Sequence, residues 1–327
     1  MLHATIAGTG AAVPTRVLTN ADLAKLVDTN DEWIRTRTGI RERRMAADGE
    51  ILSDFAVVAA RKALEAAEVL PRELDAIILA TVSPDQLVPA ASCLVQQKLG
   101  AKKAAAWDQN AGCSGWLYGL HVADGLVQSA KAQNILLVGA EFLTRFTDYT
   151  DRGTCVLFGD GAGATVLKAT KADHGVLATR IRCDGEGANF ISMPGGGSNA
   201  PPSRPETLAQ RLSFIKMMGG ETFKTGVRAM TEVCRDVLAE GGFTTADVQW
   251  LIPHQANDRI IQAVAERLEI PPEHCVVNIS RYGNTSSASI PMALDEFVRE
   301  GKIRRGDLIL FTAFGAGLTW GAALVRW

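Results

Sequence analysis

An α/β layered fold built from two similar halves is predicted by three features of this chain. Strand-like and helix-like segments alternate from end to end, one series of elements recurs in the same order, and glycine turns stand at matching places in both series. The chain has 327 residues, room for two ordinary domains or one large duplicated unit. With 47% of residues hydrophobic and 21% charged, it can bury a large core.

The first series opens with MLHATIAGTGAAVP, which reads as a strand and turn. It has no basic start and no long apolar run, so a signal peptide is not expected. Asp54–Glu68 repeats Ala, Val and Leu at helical spacing, and Leu74–Thr81 is a short buried strand. Ala90–Leu99 is helical, Ala104–Trp107 strand-like, Ser114–Lys131 a long helix and Ile135–Ala140 an apolar strand. Gly, Pro and Ser make Pro194–Pro205 a loop.

The second series predicts a strand at Asp247–Pro253, a helix at Asp258–Leu268 and a strand at Cys275–Ile279. A glycine turn at Tyr282–Asn284, a helix at Ser287–Glu300 and a strand at Leu308–Ala313 complete it. Set side by side, Gly112–Cys113 falls opposite Gly283–Asn284, and Ile135–Ala140 opposite Leu308–Ala313. Cys113 to Leu136 spans 23 positions and Asn284 to Ile309 spans 25. Two unrelated α/β halves share an element order by chance, so the matched turns carry more weight than the order. A boundary near Ala169–Gly175 gives halves 1–172 and 173–327. If they pack about a pseudo-twofold axis, Cys113 and Asn284 open two helices that meet at one pocket.

Bulk chemistry narrows the function. A net charge of −2 offers no general attraction to nucleic acid or to a membrane surface. The six cysteines are scattered, with no C-x-x-C pair, which fits thiols in a reducing compartment and gives no support for a zinc site. No stretch is apolar for long enough to span a bilayer, so a cytoplasmic protein is expected.

Cys113 stands out among the thiols. It lies in Gln109-Asn110-Ala111-Gly112-Cys113-Ser114-Gly115-Trp116, at a strand-to-helix turn where small neighbours permit close approach of a substrate. A helix start favours thiolate, so its pKa is expected to fall by roughly two units, about 2.7 kcal/mol of differential stabilisation. Cys93 and Cys234 lie in apolar helical stripes and are expected to be buried hydrophobes.

His254 follows an apolar strand in Pro253-His254-Gln255-Ala256-Asn257, where open α/β folds place functional groups. His121 sits in a helix pattern and His174 and His274 near turns, all expected to be structural or solvated. Asn284, in Gly283-Asn284-Thr285-Ser286, reads alone as ordinary turn and cap chemistry. Its place opposite Cys113 is what recommends it. The Phe158–Ala164 glycine run lacks the Lys-Ser/Thr of a phosphate loop, so a nucleotide cofactor is unsupported. Phe314–Gly321 follows what reads as the last strand and could bring backbone N–H groups towards Cys113, or be only a tight turn.

These motifs together resemble the thiolase-like condensing enzymes, specifically the β-ketoacyl-acyl-carrier-protein synthase III family. The likeness covers nearly the whole chain: Asp31–Ile34, Thr38–Arg43, the Cys113 flanks, Asp151–Thr154, Gly159–Gly163, His254–Asn257, Gly283–Ser286 and Phe314–Gly321. It implies a five-layered αβαβα fold of two like halves and a homodimer. It implies that acyl-CoA and malonyl-acyl-carrier protein are condensed through an acyl-Cys113, with no metal and no cofactor beyond the coenzyme A thioester.

By the same resemblance, Cys113 is the nucleophile, His254 and Asn284 are its partners, and the Cys113 and Ala316 amides hold the thioester oxyanion. Trp33 and Arg152 would sandwich the coenzyme A adenine, Arg37 would meet its phosphates, and Gly219 and Asn257 would line the pantetheine tunnel. Val88, Leu143 and Phe158 would form the acyl pocket, while Lys224 and Arg259 would dock the acidic carrier protein. Departures are Gly112 where alanine is common, Ala316 where glycine is frequent, Val88 in place of a phenylalanine that reaches across the dimer, and a long Pro194–Ser213 segment. A secondary-metabolite condensing enzyme would share the three polar residues. A Cys-His-Asn peptidase of the papain kind is disfavoured by the cysteine flanks and the repeated α/β pattern, and an inert scaffold would leave Cys113 unreactive.

Overall fold

The computed structural model of this chain describes residues 2–327. In chain order the main elements are β1 His3–Ala12, α1 Asp31–Thr38, α2 Leu52–Ala66, β2 Ala76–Ala80, α3 Ala91–Leu99, β3 Ala105–Gln109, α4 Gly115–Gln128, β4 Asn134–Phe142 and β5 Asp160–Thr170. Then come β6 Gly175–Cys183, α5 Gly219–Gly241, β7 Trp250–Pro253, α6 Asp258–Arg267, α7 Ser289–Arg299, β8 Leu308–Gly315 and β9 Thr319–Arg326. No helix among the described residues is long and apolar enough to cross a membrane.

Two large sheets form, ordered β1-β5-β4-β2-β3 and β6-β9-β8-β7, beside two small two-stranded ones. In the first, β2 runs parallel to β3 and β4, and β5 is antiparallel to β4 and β1. In the second, β7 is parallel to β8, and β9 is antiparallel to β8 and β6. Four strands of the first sheet match the four of the second in order and direction, and the fifth, β3, has only the isolated Leu251–Cys275 bridge as its counterpart. Helix α2 covers the outer face of the first sheet and α5 that of the second, while α4 and α7 lie between them. These are the five layers expected.

Burial explains why each layer is what it is. Strands β2 and β8 are buried along their whole lengths, as uninterrupted apolar runs covered on both faces must be. Helix α4 has no polar face to spare, since it packs between two sheets: Trp116, Leu117, Leu120 and Ala123 are all sealed. Trp116 stacks on Phe311 of β8 at 5.4 Å between ring centroids, tying the middle layer to the second sheet. Close contact between halves needs residues without side chains. A Cβ on Gly139 of β4 would lie 2.2 Å from the Ser287 carbonyl, and one on Gly159 would lie 2.1 Å from that of Tyr282.

Three expectations need correction. The strand at Cys275–Ile279 is a single parallel bridge between Cys275 and Leu251. Its later amides are taken by a side chain, because Gln255 Oε1 accepts hydrogen bonds from the amides of Asn278 and Ile279. Cys93 is exposed rather than buried, on the outward face of α3, whereas Cys234 is buried as expected. Phe314–Gly321 does not follow the last strand; it is the connection from β8 into β9. The expected boundary at 172/173 falls in the turn from β5 to β6, and Pro194–Pro205 is irregular until a short helix at Pro205–Ala209.

Truncating the contact between middle layer and second sheet tests this packing. Phe311→Ala should cost roughly 3–5 kcal/mol of stability in chemical denaturation, the usual range for a sealed phenylalanine. A loss under about 1 kcal/mol would contradict the packing described.

Candidate active site

Cys113 and Asn284 arrive at one place by matching local structure. Cys113 lies in a short 3-10 turn, Gly112–Ser114, that runs from β3 into α4. Asn284 stands two residues before the equivalent turn, Ser286–Ala288, that runs into α7. Each turn has one residue at positive φ, Gly112 at 52° and Ser286 at 48°. Gly112 tolerates nothing larger: a Cβ there would lie 2.8 Å from the Ala316 amide nitrogen. A bridge between Phe158 and Asn284 locks the halves beside the site. The Asn284 amide donates to Leu157 O at 2.9 Å and the Gly159 amide to Asn284 O at 3.0 Å.

His254 comes from the end of β7, where its amide donates to Thr312 O at 2.8 Å. Its ring Nδ1 is 2.7 Å from Ser289 Oγ, which also accepts from the Gln255 amide at 3.3 Å. Gln255 is wholly committed, donating to Pro253 O and Val276 O and accepting the two amides noted above. Asn284 has a fixed orientation: Oδ1 accepts from the Ser286 amide at 2.8 Å, leaving the Nδ2 hydrogens for the cavity.

Cys113, His254 and Asn284 line one cavity of about 500 Å³. It opens towards α1, and Trp33, Arg37, Gly219 and Asn257 line it further out. On its other side Cys113 borders a second cavity of about 390 Å³, with an apolar wall that includes Leu143 and Phe158. Ala316 also lines this second space. Its amide donates to no acceptor among the described residues, and its φ is not positive, so alanine replaces glycine without strain. A wider groove of about 570 Å³ between α2 and α7 carries charged side chains and no cysteine or histidine.

Electrostatics reverse one expectation. Burial pushes the Cys113 thiol up to about 11; contact with the Ser286 hydroxyl opposes this, and nearby Glu141 adds to it. The helix start does not prevail because the cysteine stands in the 3-10 turn ahead of α4, where desolvation by its neighbours outweighs it. Burial alone pushes His254 down to about 3, so its imidazole is neutral at physiological pH. The resting pair is therefore thiol and imidazole.

The outer residues are arranged less simply than expected. Arg37 and Arg152 both lie over the Trp33 ring, at 5.1 and 4.9 Å from its centroid. At that distance Arg152 already stacks on the indole, so an adenine between them requires the arginine to swing away. Asn257 caps α6, accepting from the Arg259 amide at 2.9 Å, and donates to Arg37 O at 3.0 Å. Lys224 and Arg259 stand at the cavity mouth, Lys224 close to Glu221 and Arg259 over Phe223. Val88 is not part of its own chain's pocket. It is 84% exposed on the loop before α3.

Sequence reading missed Ser286, Ser289 and Glu141. The two serines look like ordinary cap residues, and Glu141 lies in a strand where only burial makes it unusual. Gln255 was visible only as a polar neighbour of the histidine.

Comparison with known proteins agrees with this geometry. The family model described as 3-Oxoacyl-[acyl-carrier-protein (ACP)] synthase III matches residues 107–185, and the model of its C terminal matches residues 238–327. The β-ketoacyl-[acyl-carrier-protein] synthase III of Symbiobacterium thermophilum is 51% identical over 322 residues, covering 98% of this chain and 97% of that one. The enzyme of the same name from Xanthomonas campestris pv. campestris is 50% identical over 326 residues, covering 100% and 99%. The crystal structure of 3-oxoacyl-[acyl-carrier-protein] synthase III from Aquifex aeolicus VF5 superposes with a TM-score of 0.92 at 50% identity, covering 99% of this chain and all of that one. The two matching turns, their shared cavity and this likeness along the full length lead to one conclusion: the chain belongs to the β-ketoacyl-acyl-carrier-protein synthase III family.

Proposed function

We propose that this chain catalyses the initiating condensation of type II fatty-acid synthesis. Acetyl-CoA or a similar short acyl-CoA and malonyl-acyl-carrier protein give β-ketoacyl-acyl-carrier protein, coenzyme A and carbon dioxide through an acyl-Cys113. The observation that supports this most is the shared cavity of Cys113, His254 and Asn284, with a tunnel on one side and an apolar pocket on the other. The family's chemistry needs those two compartments.

In the first half-reaction the Cys113 sulfur bonds to the acyl carbon, the acyl–sulfur bond of the CoA thioester breaks, and the thiol proton leaves with coenzyme A. We assign the amides of Cys113 and Ala316, which both border the second cavity, to the oxygen of the tetrahedral intermediate. In the second, malonyl-acyl-carrier protein loses carbon dioxide, and its enolate oxygen accepts from His254 Nε2–H and Asn284 Nδ2–H. In the tautomer this step uses, the Ser289 hydroxyl donates to Nδ1 while its oxygen accepts the Gln255 amide, and the imidazole hydrogen is on Nε2. The enolate carbon attacks the acyl carbonyl, and Cys113 leaves as thiolate and takes a proton. The residues need no metal or redox cofactor for either step.

Leu143 and Phe158 bound the acyl pocket, and Trp33, Arg37 and Arg152 the nucleotide end of the thioester. Lys224 and Arg259, cations at the tunnel mouth, suit an acidic carrier protein. A homodimer is supported by the unpaired outer edge of β3 and by Leu87 and Val88, both largely exposed on the loop that leads to it. In such a dimer Val88 would reach the partner's acyl pocket. The cytoplasm, where both substrates are made, is the compartment this reaction requires.

Two experiments test the assignment. Incubated with acetyl-CoA, the protein should gain one acetyl group, as read by intact mass. Cys113→Ala should gain none, and Asn284→Ala should still acylate but lose about 10²–10³-fold in malonyl decarboxylation. Full condensation by the Cys113 variant would end the proposal. Separately, the rate of Cys113 alkylation by iodoacetamide should keep rising with pH beyond the usual cysteine pKa of about 8.5. A plateau already reached at pH 7 would show that the buried thiol is not held protonated.

A further inference from the structure

Behind the nucleophile lies a sealed carboxyl to which the reaction above assigns no task. Glu141, next to last in β4, is fully buried. Its Oε2 lies 2.6 Å from Ser83 Oγ, 3.1 Å from the Val82 amide and 3.3 Å from Thr81 Oγ1, all in the segment just after β2. Its Oε1 lies 2.9 Å from Ser287 Oγ and 3.2 Å from Ser286 Oγ, in the second-half turn that fixes Asn284.

Counting hydrogens on the Oε1 side exposes a shortage. Ser287 Oγ has one hydrogen and two neighbours able to accept it, Glu141 Oε1 and the Ala80 carbonyl at 2.8 Å. Ser286 Oγ likewise has one hydrogen, directed here at Glu141, and the Cys113 sulfur on the same cavity wall is the second group able to take it. With Cys113 as thiolate, an ionised Glu141 leaves two of these four contacts without a hydrogen, whereas a protonated Glu141 supplies one itself.

We propose that Glu141 is a positioning residue for Cys113: by holding or releasing one proton it decides whether the Ser286 hydrogen points at the carboxyl or at the sulfur. With the proton on Glu141, Ser286 donates to the Cys113 thiolate and no negative charge stands behind it. With Glu141 ionised, the carboxylate claims the hydroxyl and repels the thiolate. Burial raises this carboxyl to about 7, where it changes state close to physiological pH.

Cys113 is the titratable group that faces this carboxyl. Asp160, on the neighbouring β5, is turned to Ala46 and Thr144. On the packed helices, Asp124 and His121 of α4 bond Ala4 and Thr179, Asp295 of α7 pairs with Arg299, and Asp54 of α2 pairs with Lys98. Strand β2 carries no titratable group.

The inference rests on Cys113 being the nucleophile, and its test separates the two. Glu141→Gln keeps the shape, removes the charge and supplies an N–H where the protonated acid has an O–H. Alkylation of Cys113, followed by peptide mass, should show the pH midpoint falling by at least about 0.5 unit. In a Ser286→Ala background the same replacement should move the midpoint by less, because the relay is gone. A purely structural role predicts a lower melting temperature and lower total activity with the midpoint unmoved, and that result would overturn the inference. Failure of the nucleophile assignment shows differently, as no acetyl on Cys113 in the parent protein.

Discussion

The site depends on two like turns being pressed together at the junction of the halves. The Phe158–Asn284 bridge and the glycines at 139 and 159 permit an approach that no side chain would survive. Once the turns touch, a cysteine before one helix and an asparagine before its counterpart share a cavity, though 171 positions separate them in sequence. The histidine joins from the end of β7, held by the second sheet. Duplication therefore does mechanical work: it gives two rigid frames whose equivalent corners supply different chemistry.

Burial sets the electrical character of that junction. It keeps Cys113 a thiol and His254 a neutral imidazole, so neither resting group is charged. A neutral imidazole that accepts the Ser289 hydroxyl at Nδ1 donates from Nε2, which suits stabilisation of an enolate better than proton removal. Asn284, its carbonyl occupied by the Ser286 amide, is likewise reduced to a donor. Among the residues that line the tunnel, charge is confined to its mouth, where Arg37, Lys224 and Arg259 are exposed.

Much of this was legible in the residues. Continuous apolar runs such as Ile135–Ala140 and Leu308–Ala313 announced central strands, and the recurrence of their order announced the two halves. Other features were not, for identifiable reasons. Cys275–Ile279 looks like a strand, but the Gln255 side chain takes the amides that a ladder would use. The direction of the Cys113 shift was misjudged because a helix start can be read from sequence and desolvation cannot. Glu141, Ser286 and Ser289 escaped notice because nothing in their neighbours' identities distinguishes a sealed network from surface polarity. Arg152 was expected to face Trp33 across an adenine; that it lies directly over the indole ring depends on side-chain placement that the sequence does not encode locally.

The most direct measurement is a crystal structure of the protein after reaction with acetyl-CoA. The account predicts an acetyl group on Cys113 Sγ, its carbonyl oxygen between the Cys113 and Ala316 amides, with His254 Nε2 and Asn284 Nδ2 facing the vacated tunnel. Acetyl density on another residue, or an acetyl oxygen turned away from both amides, would contradict it.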